Sequence, residues 1–297
     1  MSIITIVGAS GQVGSKIVNN LSGKGHQLRL IARSANKLQQ VAGNKDMSIN
    51  AGDSLDSNFL AGVIKGSDAV LLMMPTGMQT ENVDALQNQL GLAQIDAIKI
   101  SGVKKVLFIS SVGGHTEDHT GIVAGLARQE VRLKALNDVD VLILRPSYFL
   151  ENLLANIGLI KSAGINGSAL EGNKAFPLIA SQDVARVAAE KLNDLNWTGK
   201  IVQPLLGARD YSMNEITKVL GQAIGKPDLQ YVQFPYEQAK QAMLQWGLSD
   251  SIAQAYIGLS EGINLGYFNT EARDAKSTTP TTVEEFAKVF AHVYSAS

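Results

Sequence analysis

The sequence contains no cysteine among its 297 residues. That absence excludes disulfide bonds, thiolate nucleophiles and cysteine-based zinc sites together, and it fits a reducing compartment. Charge is also sparse, because Lys, Arg, Asp and Glu make up only 18% of the chain and the net charge is −1. No overall field would draw such a protein to nucleic acid or to an anionic membrane, so neither is an expected partner.

Long apolar runs are missing as well. The longest wholly apolar run, residues 69–74, is far too short to span a bilayer. The first residues enter a predicted strand directly, with no basic segment, apolar signal core or small-residue cleavage site. Hydrophobic residues nevertheless make up 45% of the chain, which is typical of a globular protein with a sizeable core. We expect a soluble, cytoplasmic protein.

The N-terminal stretch carries the clearest functional pattern. Residues 3–7 are rich in β-branched side chains and predict a buried strand. Gly8, Gly11 and Gly14 follow with the spacing G-x-x-G-x-x-G, and a helical pattern begins there. This order is the context of a dinucleotide-binding turn, in which the glycines allow the turn, the approach of a pyrophosphate and close helix packing. The alternative is a glycine-rich turn that binds nothing. The residues expected to hold the pyrophosphate are Gly8, Ser10, Gly11, Gln12 and Val13.

Strands and helices alternate through six units after this start, which predicts an α/β fold with a doubly wound parallel sheet. The expected strand order is 3-2-1-4-5-6, with the cofactor beside the first strand. We divide the chain into a dinucleotide-binding domain at residues 1–150 and a smaller α-rich lobe at residues 151–297. The boundary is provisional, because residues 201–206 could return to the main sheet. The predicted strands cover residues 3–7, 26–32, 47–51, 68–74, 103–110 and 139–144.

The end of the second strand indicates which dinucleotide would bind. NAD-binding units place an Asp or Glu there for the ribose 2′-hydroxyl, whereas this chain has Arg33 and, one helical turn later, Lys37. A guanidinium can hold a 2′-phosphate in a fork, so the prediction is NADPH over NADH. The alternative makes Arg33 an ordinary surface residue. Further along the groove expected to hold the cofactor, here called the trough, Asp53 either lies at the sheet edge where ligands bind or serves as a helix cap or turn residue. Three more residues are expected to line the trough beside the cofactor: Met74, Pro75 and Ser110.

Two further patterns locate helices in the second half of the chain. Residues 147–161 have a helical pattern. Ser212 with Glu215, and Thr281 with Glu284, each form a predicted capping box before an apolar helical repeat.

A tyrosine is absent where this architecture usually needs one. Short-chain dehydrogenases and sugar-nucleotide epimerases use a Tyr-x-x-x-Lys pair between the fifth and sixth strands to transfer a proton. Residues 111–138 contain no tyrosine, and the pair Tyr236 and Lys240 lies in the C-terminal lobe, outside the predicted sheet. The absence argues against ordinary alcohol dehydrogenation and against sugar epimerisation.

Several motifs together resemble the NmrA-like family of atypical short-chain dehydrogenase relatives, and the likeness extends over nearly the whole chain. The resemblance implies NADP binding, a Rossmann domain and a small α-rich lobe. Some members reduce quinones or related acceptors with NADPH, whereas others bind the dinucleotide only as sensors or regulators. The motifs are residues 8–14, Ala32-Arg33-Ser34, Ser110-Ser111, Leu144-Arg145-Pro146-Ser147-Tyr148-Phe149-Leu150-Glu151-Asn152, Ser181-Gln182-Asp183-Val184-Ala185 and residues 279–287.

One position departs from that family. Catalytic members often keep a lysine in the helix after the fifth strand, ahead of a glutamate, and the best match here is Arg128 with Glu130 nearby. An arginine stays protonated at neutral pH, so it cannot donate a proton, although it could bind a ribose hydroxyl or polarise a carbonyl.

Three other side chains are candidates for the chemistry. His115, in the loop after the fifth strand, is the preferred acid, with a solvated loop histidine as the alternative. The pair His115 and His119 does not match a zinc or calcium spacing, so no metal is expected. Tyr148 and Phe149 would form an aromatic wall beside the nicotinamide that stacks a flat acceptor; the alternative is packing between lobes.

The sequence therefore predicts an NADPH-dependent oxidoreductase that reduces a small, flat carbonyl or quinone-like acceptor. The second hypothesis is a non-catalytic NADPH sensor with a protein partner. A sugar-nucleotide epimerase or dehydratase is the third. A homodimer is compatible with each of them.

Overall fold

The computed structural model of the protein describes residues 1–43 and 47–297. Short apolar runs form the strands of this part of the chain, and the first six fall where the sequence predicts strands. The strands are β1 (Ile3–Val7), β2 (Gln27–Ala32), β3 (Ser48–Ala51), β4 (Ala69–Leu72), β5 (Lys105–Ile109), β6 (Asp140–Pro146), β7 (Tyr148–Phe149), β8 (Ile165–Ser168), β9 (Phe176–Ile179), β10 (Lys200–Leu205), β11 (Asp210–Tyr211) and β12 (Gln230–Gln233).

Seven of these strands form one parallel sheet in the order β10-β6-β5-β4-β1-β2-β3. The predicted doubly wound order 3-2-1-4-5-6 is confirmed within it. Strand β10 adds one more position, because it pairs in parallel with β6 from Lys200 opposite Val141 to Leu205 opposite Pro146. The chain therefore returns to the main sheet about fifty residues after the provisional boundary at residue 150.

Helices cover both faces of the sheet and build the second lobe. Two 3-10 helices, Gly121–Val123 and Leu150–Asn156, complete the helical elements of the described residues. The α-helices are α1 (Gln12–Leu21), α2 (Ala35–Ala42), α3 (Ser57–Ile64), α4 (Val83–Ser101), α5 (Ala124–Lys134), α6 (Ile157–Ala163), α7 (Ser181–Asp194), α8 (Met213–Ala223), α9 (Tyr236–Gln245), α10 (Asp250–Leu265) and α11 (Val283–Ala296).

The main core consists of two layers, one on each face of the sheet. Ile4 and Ile6 of β1 pack with Ile17 of α1 and with the apolar face of α7 on one side. Val7 packs on the other side with Phe108 of β5 and with helices α3 and α4. Alternate residues of a strand face opposite sides of a sheet, so a strand covered on both faces is apolar throughout.

A third apolar cluster belongs to the smaller lobe. It joins Phe176 and Leu178 of β9 to Ile216 of α8 and Phe290 of α11. Two small sheets, β11-β9-β7 and β12-β8, frame it. Strand β7 begins two residues after β6, so the smaller lobe joins the main sheet at the carboxyl end of β6.

The segment after β6 is less helical than the sequence predicts. Its first residues, Tyr148 and Phe149, pair with Leu178 and Ile179 of β9 in an extended conformation. The 3-10 helix and α6 follow only after this pairing. A strand partner thirty residues away overrides the local helical pattern here.

The two predicted capping boxes differ in outcome. The box of Ser212 and Glu215 is present at the start of α8. The box predicted at Thr281 and Glu284 is wrong by one residue, because Thr282 and Glu285 form it at the start of α11. The Thr281 hydroxyl accepts a hydrogen bond from the Gln182 side chain at 3.0 Å instead.

Among the described residues, none of the helices combines the length and the apolar character that crossing a membrane requires.

Candidate functional site

The turn after β1 has the geometry that its glycines predict. Gly8 adopts a positive φ of 78°, and its N–H donates to the Ile31 carbonyl at 2.9 Å, which ties the turn to β2. A Cβ at Gly14 would lie only 2.2 Å from the Gly8 carbonyl oxygen. Helix α1 can therefore lie against the turn only with glycine at this position.

The N-terminus of α1 is open to a ligand. Its N-cap is Gly11, which has no side chain to satisfy the first backbone N–H groups, and the first turn contains no acidic residue. Gly11 and Gln12 are exposed, and Ser10 and Val13 are partly so. An uncapped helix start with free N–H groups and a positive dipole end suits an anion such as a pyrophosphate.

The exposed cations predicted at the end of β2 lie on the same edge. Arg33 and Lys37 are both exposed, and within the described residues the Arg33 guanidinium makes no hydrogen bond or ion pair. Ser34 between them caps α2 by accepting from the Lys37 N–H at 3.3 Å. Asp53 caps a turn, because its carboxylate accepts from the Leu55 N–H at 3.0 Å. Arg33 is therefore available to a phosphate.

A cavity of about 230 Å³ opens beyond the ends of β4, β5 and β6. Four of the sequence-predicted residues line it, namely Met74, Ser110, Tyr148 and Phe149. Among the described residues, no Asp, Glu, Lys, Arg or His contributes to its lining. Its apolar wall includes Val112, Ile122, Leu126, Phe176, Leu259 and Phe268. The cavity therefore suits a neutral, largely apolar ligand.

Tyr148 and Phe149 reach this cavity because β7 pairs with β9. The Tyr148 ring lies edge-on to Phe176, with ring centroids 5.7 Å apart. Burial raises the pKa of the Tyr148 hydroxyl above its ordinary value, and a hydrogen bond from Asn152 offsets only part of that rise. The phenol therefore stays protonated at neutral pH. Both rings also pack against neighbouring side chains of the core, Phe149 in the main core and Tyr148 in the cluster of the smaller lobe.

A buried ionic cluster lies behind Ser110, one of the residues that line the cavity. The fully buried Glu130 carboxylate accepts from the Ser110 hydroxyl at 2.6 Å and from Arg145 Nε and Nη2 at 2.9 and 2.7 Å. Lys134 donates to its second oxygen at 2.9 Å, and Arg145 Nη1 reaches Glu271 at 2.6 Å. Burial lowers the pKa of Arg145, but the bonds to Glu130 outweigh this and raise it. The ends of β5 and β6 are thereby fixed together.

His115 and Arg128 do not line the cavity. His115 is exposed in the loop after β5. Arg128 hydrogen-bonds Asp84, which raises its pKa, and its Nε lies 3.5 Å from Glu117. In the described chain, no group of three or more His, Asp or Glu residues is placed to hold a metal ion.

Helix α10 also contributes to the cavity, which was not predicted from the sequence. Tyr256 and Leu259 of this helix close one side of the cavity. Gly258 and Gly262 let α10 approach the loop after β5, since a Cβ would lie 3.0 Å from Gly121 Cα at the first position and 1.9 Å from the His119 carbonyl at the second. The G-x-x-x-G spacing of these two residues was the available signal for close packing.

Comparison with known proteins gives a consistent result. The model of the NmrA-like family matches residues 1–287. An NAD(P)H azoreductase of Xenophilus azovorans is 26% identical over 99% of this chain and all of its own. An NADPH-dependent quinone oxidoreductase of Escherichia coli, solved with NADPH, has a TM-score of 0.81, 21% identity and coverage of 98% and 99%. A triphenylmethane reductase of a Citrobacter species, solved with NADP(H), has a TM-score of 0.81, 17% identity and coverage of 97% and 99%.

Proposed function

The chain belongs to the NmrA-like family, and from this premise we propose that it is an NADPH-dependent oxidoreductase that reduces a small, flat carbonyl or quinone acceptor. The proposal rests on one juxtaposition. An open helix N-terminus with a free arginine beside it and an uncharged cavity lie on the same edge of the sheet. In doubly wound folds this edge, at the carboxyl ends of the strands, is where ligands bind.

The residues of this edge fit a dinucleotide. The uncapped start of α1 and the exposed guanidinium of Arg33 are features that a pyrophosphate and a 2′-phosphate would satisfy. When bound, NADPH would supply a hydride. The proposed binding residues are Gly8, Ser10, Gly11, Gln12 and Val13 for the pyrophosphate, Arg33 and Lys37 for the 2′-phosphate, and Asp53, Met74, Pro75, Ser110 and Phe149 along the trough.

The acceptor would lie in the cavity next to this trough. Tyr148 and Phe149 offer ring faces and edges to a flat molecule, and the uncharged wall disfavours ionic ones. Because His115 and Arg128 lie outside the cavity, we assign the final proton to water. The azoreductase, quinone oxidoreductase and triphenylmethane reductase named above make an NAD(P)H-dependent reduction of a small aromatic acceptor the natural reaction class to test.

The direct test is anaerobic oxidation of NADPH, followed at 340 nm, with a panel of neutral quinones and purified protein. We expect saturable turnover that is faster with NADPH than with NADH. Arg33→Ala should weaken NADPH binding roughly 10- to 100-fold, the value of a charged hydrogen-bonded pair, and leave NADH binding unchanged. Arg186→Ala, which alters an exposed arginine on α7, is the matched control. An NADH affinity equal to that for NADPH in the wild type would refute the cofactor assignment.

A second candidate function is an NADPH sensor that turns over no substrate. Two observations favour it, the lack of tyrosine in residues 111–138 and the arginine at position 128, which is tied to Asp84. Tight NADPH binding without turnover across the quinone panel would select this candidate. It would then require a protein partner whose affinity changes when NADPH binds.

A further inference from the structure

The proposed reduction needs a hydrogen-bond donor for the acceptor oxygen. If bound NADPH supplied a hydride to a carbonyl carbon, the π electrons of the carbonyl would move onto its oxygen, and a proton from water would complete the hydroxyl. The developing negative charge is stabilised by a donor placed in a water-poor site. The usual tyrosine is absent from residues 111–138, so this chain must place its donor elsewhere.

The two serines at the end of β5 are already engaged. The Ser110 hydroxyl donates to the Glu130 carboxylate at 2.6 Å, a strong charge-assisted bond. The Ser111 hydroxyl donates to the Val112 carbonyl at 2.9 Å. A hydroxyl has a single proton to donate, so neither serine can also donate to an acceptor without breaking its own bond.

Tyr148 has its proton free. It lines the cavity, β7 pairing places its backbone opposite Leu178, and its ring rests edge-on against Phe176. Asn152, four residues later, also lines the cavity, and a hydrogen bond between its side chain and the phenol lowers the pKa of Tyr148 against the larger rise that burial causes. An amide N–H that donates to the phenol oxygen would leave the phenol hydrogen for a ligand.

We infer that the Tyr148 hydroxyl is the hydrogen-bond donor that binds the acceptor oxygen in the cavity, and that Asn152 positions it. This inference rests on the proposed function, and it names the acceptor class as neutral compounds that carry a carbonyl oxygen. The donor role that a tyrosine between the fifth and sixth strands usually has in this architecture would then belong to Tyr148, which follows β6.

Three other hydroxyls in the cavity lining are rival candidates, those of Thr76, Ser147 and Tyr256. Thr76 follows β4 and is partly exposed. Tyr256 of α10 is 37% exposed and can bond to water. The Ser147 hydroxyl has no partner among the described residues, but its oxygen is inaccessible to solvent, so an acceptor could not reach it without a change of rotamer. All three enter the experiment as rival donors.

The first measurement needs neither nucleotide nor turnover. Infrared difference spectra of 1,4-naphthoquinone bound to the full-length protein report hydrogen bonding through the carbonyl stretching band. We expect a shift to lower wavenumber in the wild type, and its loss in Tyr148→Phe. The shift should persist in Thr76→Val, Tyr256→Phe and Ser147→Ala. It should also persist in Tyr294→Phe, a control on α11 outside the cavity. A shift that survives in Tyr148→Phe, or that is lost instead in one of the rival variants, overturns the inference.

The second measurement is kinetic and separates this inference from the proposed function. Tyr148→Phe should lower kcat for quinones on the order of 100-fold, as loss of an oxyanion donor does, with the dissociation constant of NADPH unchanged. Asn152→Leu, which keeps the phenol, should give a smaller loss of the same kind and serves if Tyr148→Phe does not fold. Wild-type turnover with an unaffected Tyr148→Phe variant refutes the donor assignment alone. No wild-type turnover refutes the proposed function, and the infrared result then decides the donor by itself.

Discussion

The two ends of the candidate site are built in different ways. The proposed nucleotide end consists of the backbone of one contiguous stretch, from Gly8 to Gly14, and of the two exposed cations Arg33 and Lys37. The proposed acceptor end, the cavity, uses side chains from segments spread over residues 74–268 and has no charged side chain in its described lining. An anion is recognised by N–H groups and positive charge, whereas a neutral flat molecule is recognised by shape and by a few donors.

The distribution of tyrosine and tryptophan along the chain follows the same division. All seven tyrosines and both tryptophans of the chain lie after residue 147. The first half therefore supplies glycines, strands and cations, and the second half supplies the aromatic wall. Charged side chains therefore lie at the proposed nucleotide end and in the Glu130 cluster next to the cavity, but not in the described lining of the cavity.

The largest expected effect comes from the cluster beneath the acceptor end. Glu130→Gln would replace a buried carboxylate with an amide whose N–H groups face Arg145 and Ser110, leaving the guanidinium without its main partner. We expect a loss of about 3 kcal/mol in the free energy of unfolding, as for other broken buried ion pairs. Chemical denaturation checks this value.

The matched control for that change is Glu190→Gln. Glu190 is 57% exposed and pairs with Arg186 on the surface of α7, so its loss should change the free energy of unfolding by no more than about 0.5 kcal/mol. Equal effects of the two variants would show that the cluster does not support the acceptor end.

An intermediate effect is expected at the nucleotide end. Gly14→Ala would place a Cβ 2.2 Å from the Gly8 carbonyl oxygen and displace α1 from the turn. We expect a loss of about 1–3 kcal/mol in stability, as in overpacked cores, together with at least a tenfold weaker binding of NADPH. Binding of 1,4-naphthoquinone without nucleotide should be unaffected, which would sharpen the division between the two ends.

Gly62→Ala is the control for this glycine. Gly62 lies within α3, and a Cβ there meets no atom within 4 Å. The substitution should stabilise the protein by up to about 1 kcal/mol, because alanine is the better helix former. Similar losses from both glycine variants would contradict the close-packing argument.

The smallest expected effect is a loss of folding stability at alkaline pH, and it comes from a tyrosine in the second half of the chain. Burial raises the pKa of Tyr231 to about 12, above the ordinary value of about 10. The stability this contributes is fully present below pH 10 and is lost as the pH rises toward the folded-state pKa. Between pH 9 and 11 we expect Tyr231 to account for a loss of about 1 kcal/mol. The difference in unfolding free energy between wild type and Tyr231→Phe should shrink over this range; a constant difference would contradict the prediction.

The sequence predicted those parts that depend on local periodicity. The positions of the strands and the turn at Gly8 follow from patterns within a few residues of one another, and the fold agrees with them. The strand order follows from the alternation of strands and helices through six units, and it is confirmed as well. Tyr148 could be assigned to the cleft because it directly follows a strand end. The one-residue error at Thr281 arose because two adjacent threonines satisfy the same motif, and only the long-range contact with Gln182 distinguishes them.

The acceptor end could not be predicted to the same degree. Phe176, Tyr256 and Phe268 come from separate elements of the second lobe, and no local spacing connects them to the ends of β5 and β6. The pairing of Glu130 with Arg145 likewise depends on how α5 packs beneath the sheet. Local rules specify single elements, whereas these contacts depend on the tertiary packing of elements far apart in the chain.

The most direct test of the whole account is kcat/KM for NADPH and 1,4-naphthoquinone in four proteins: wild type, Arg33→Ala, Tyr148→Phe and the double variant. If the two ends act separately, the wild type turns over, each single variant loses activity for its own ligand, and the two losses multiply in the double variant. A wild type that binds NADPH but consumes none, or a double variant no worse than the poorer single variant, would contradict the account.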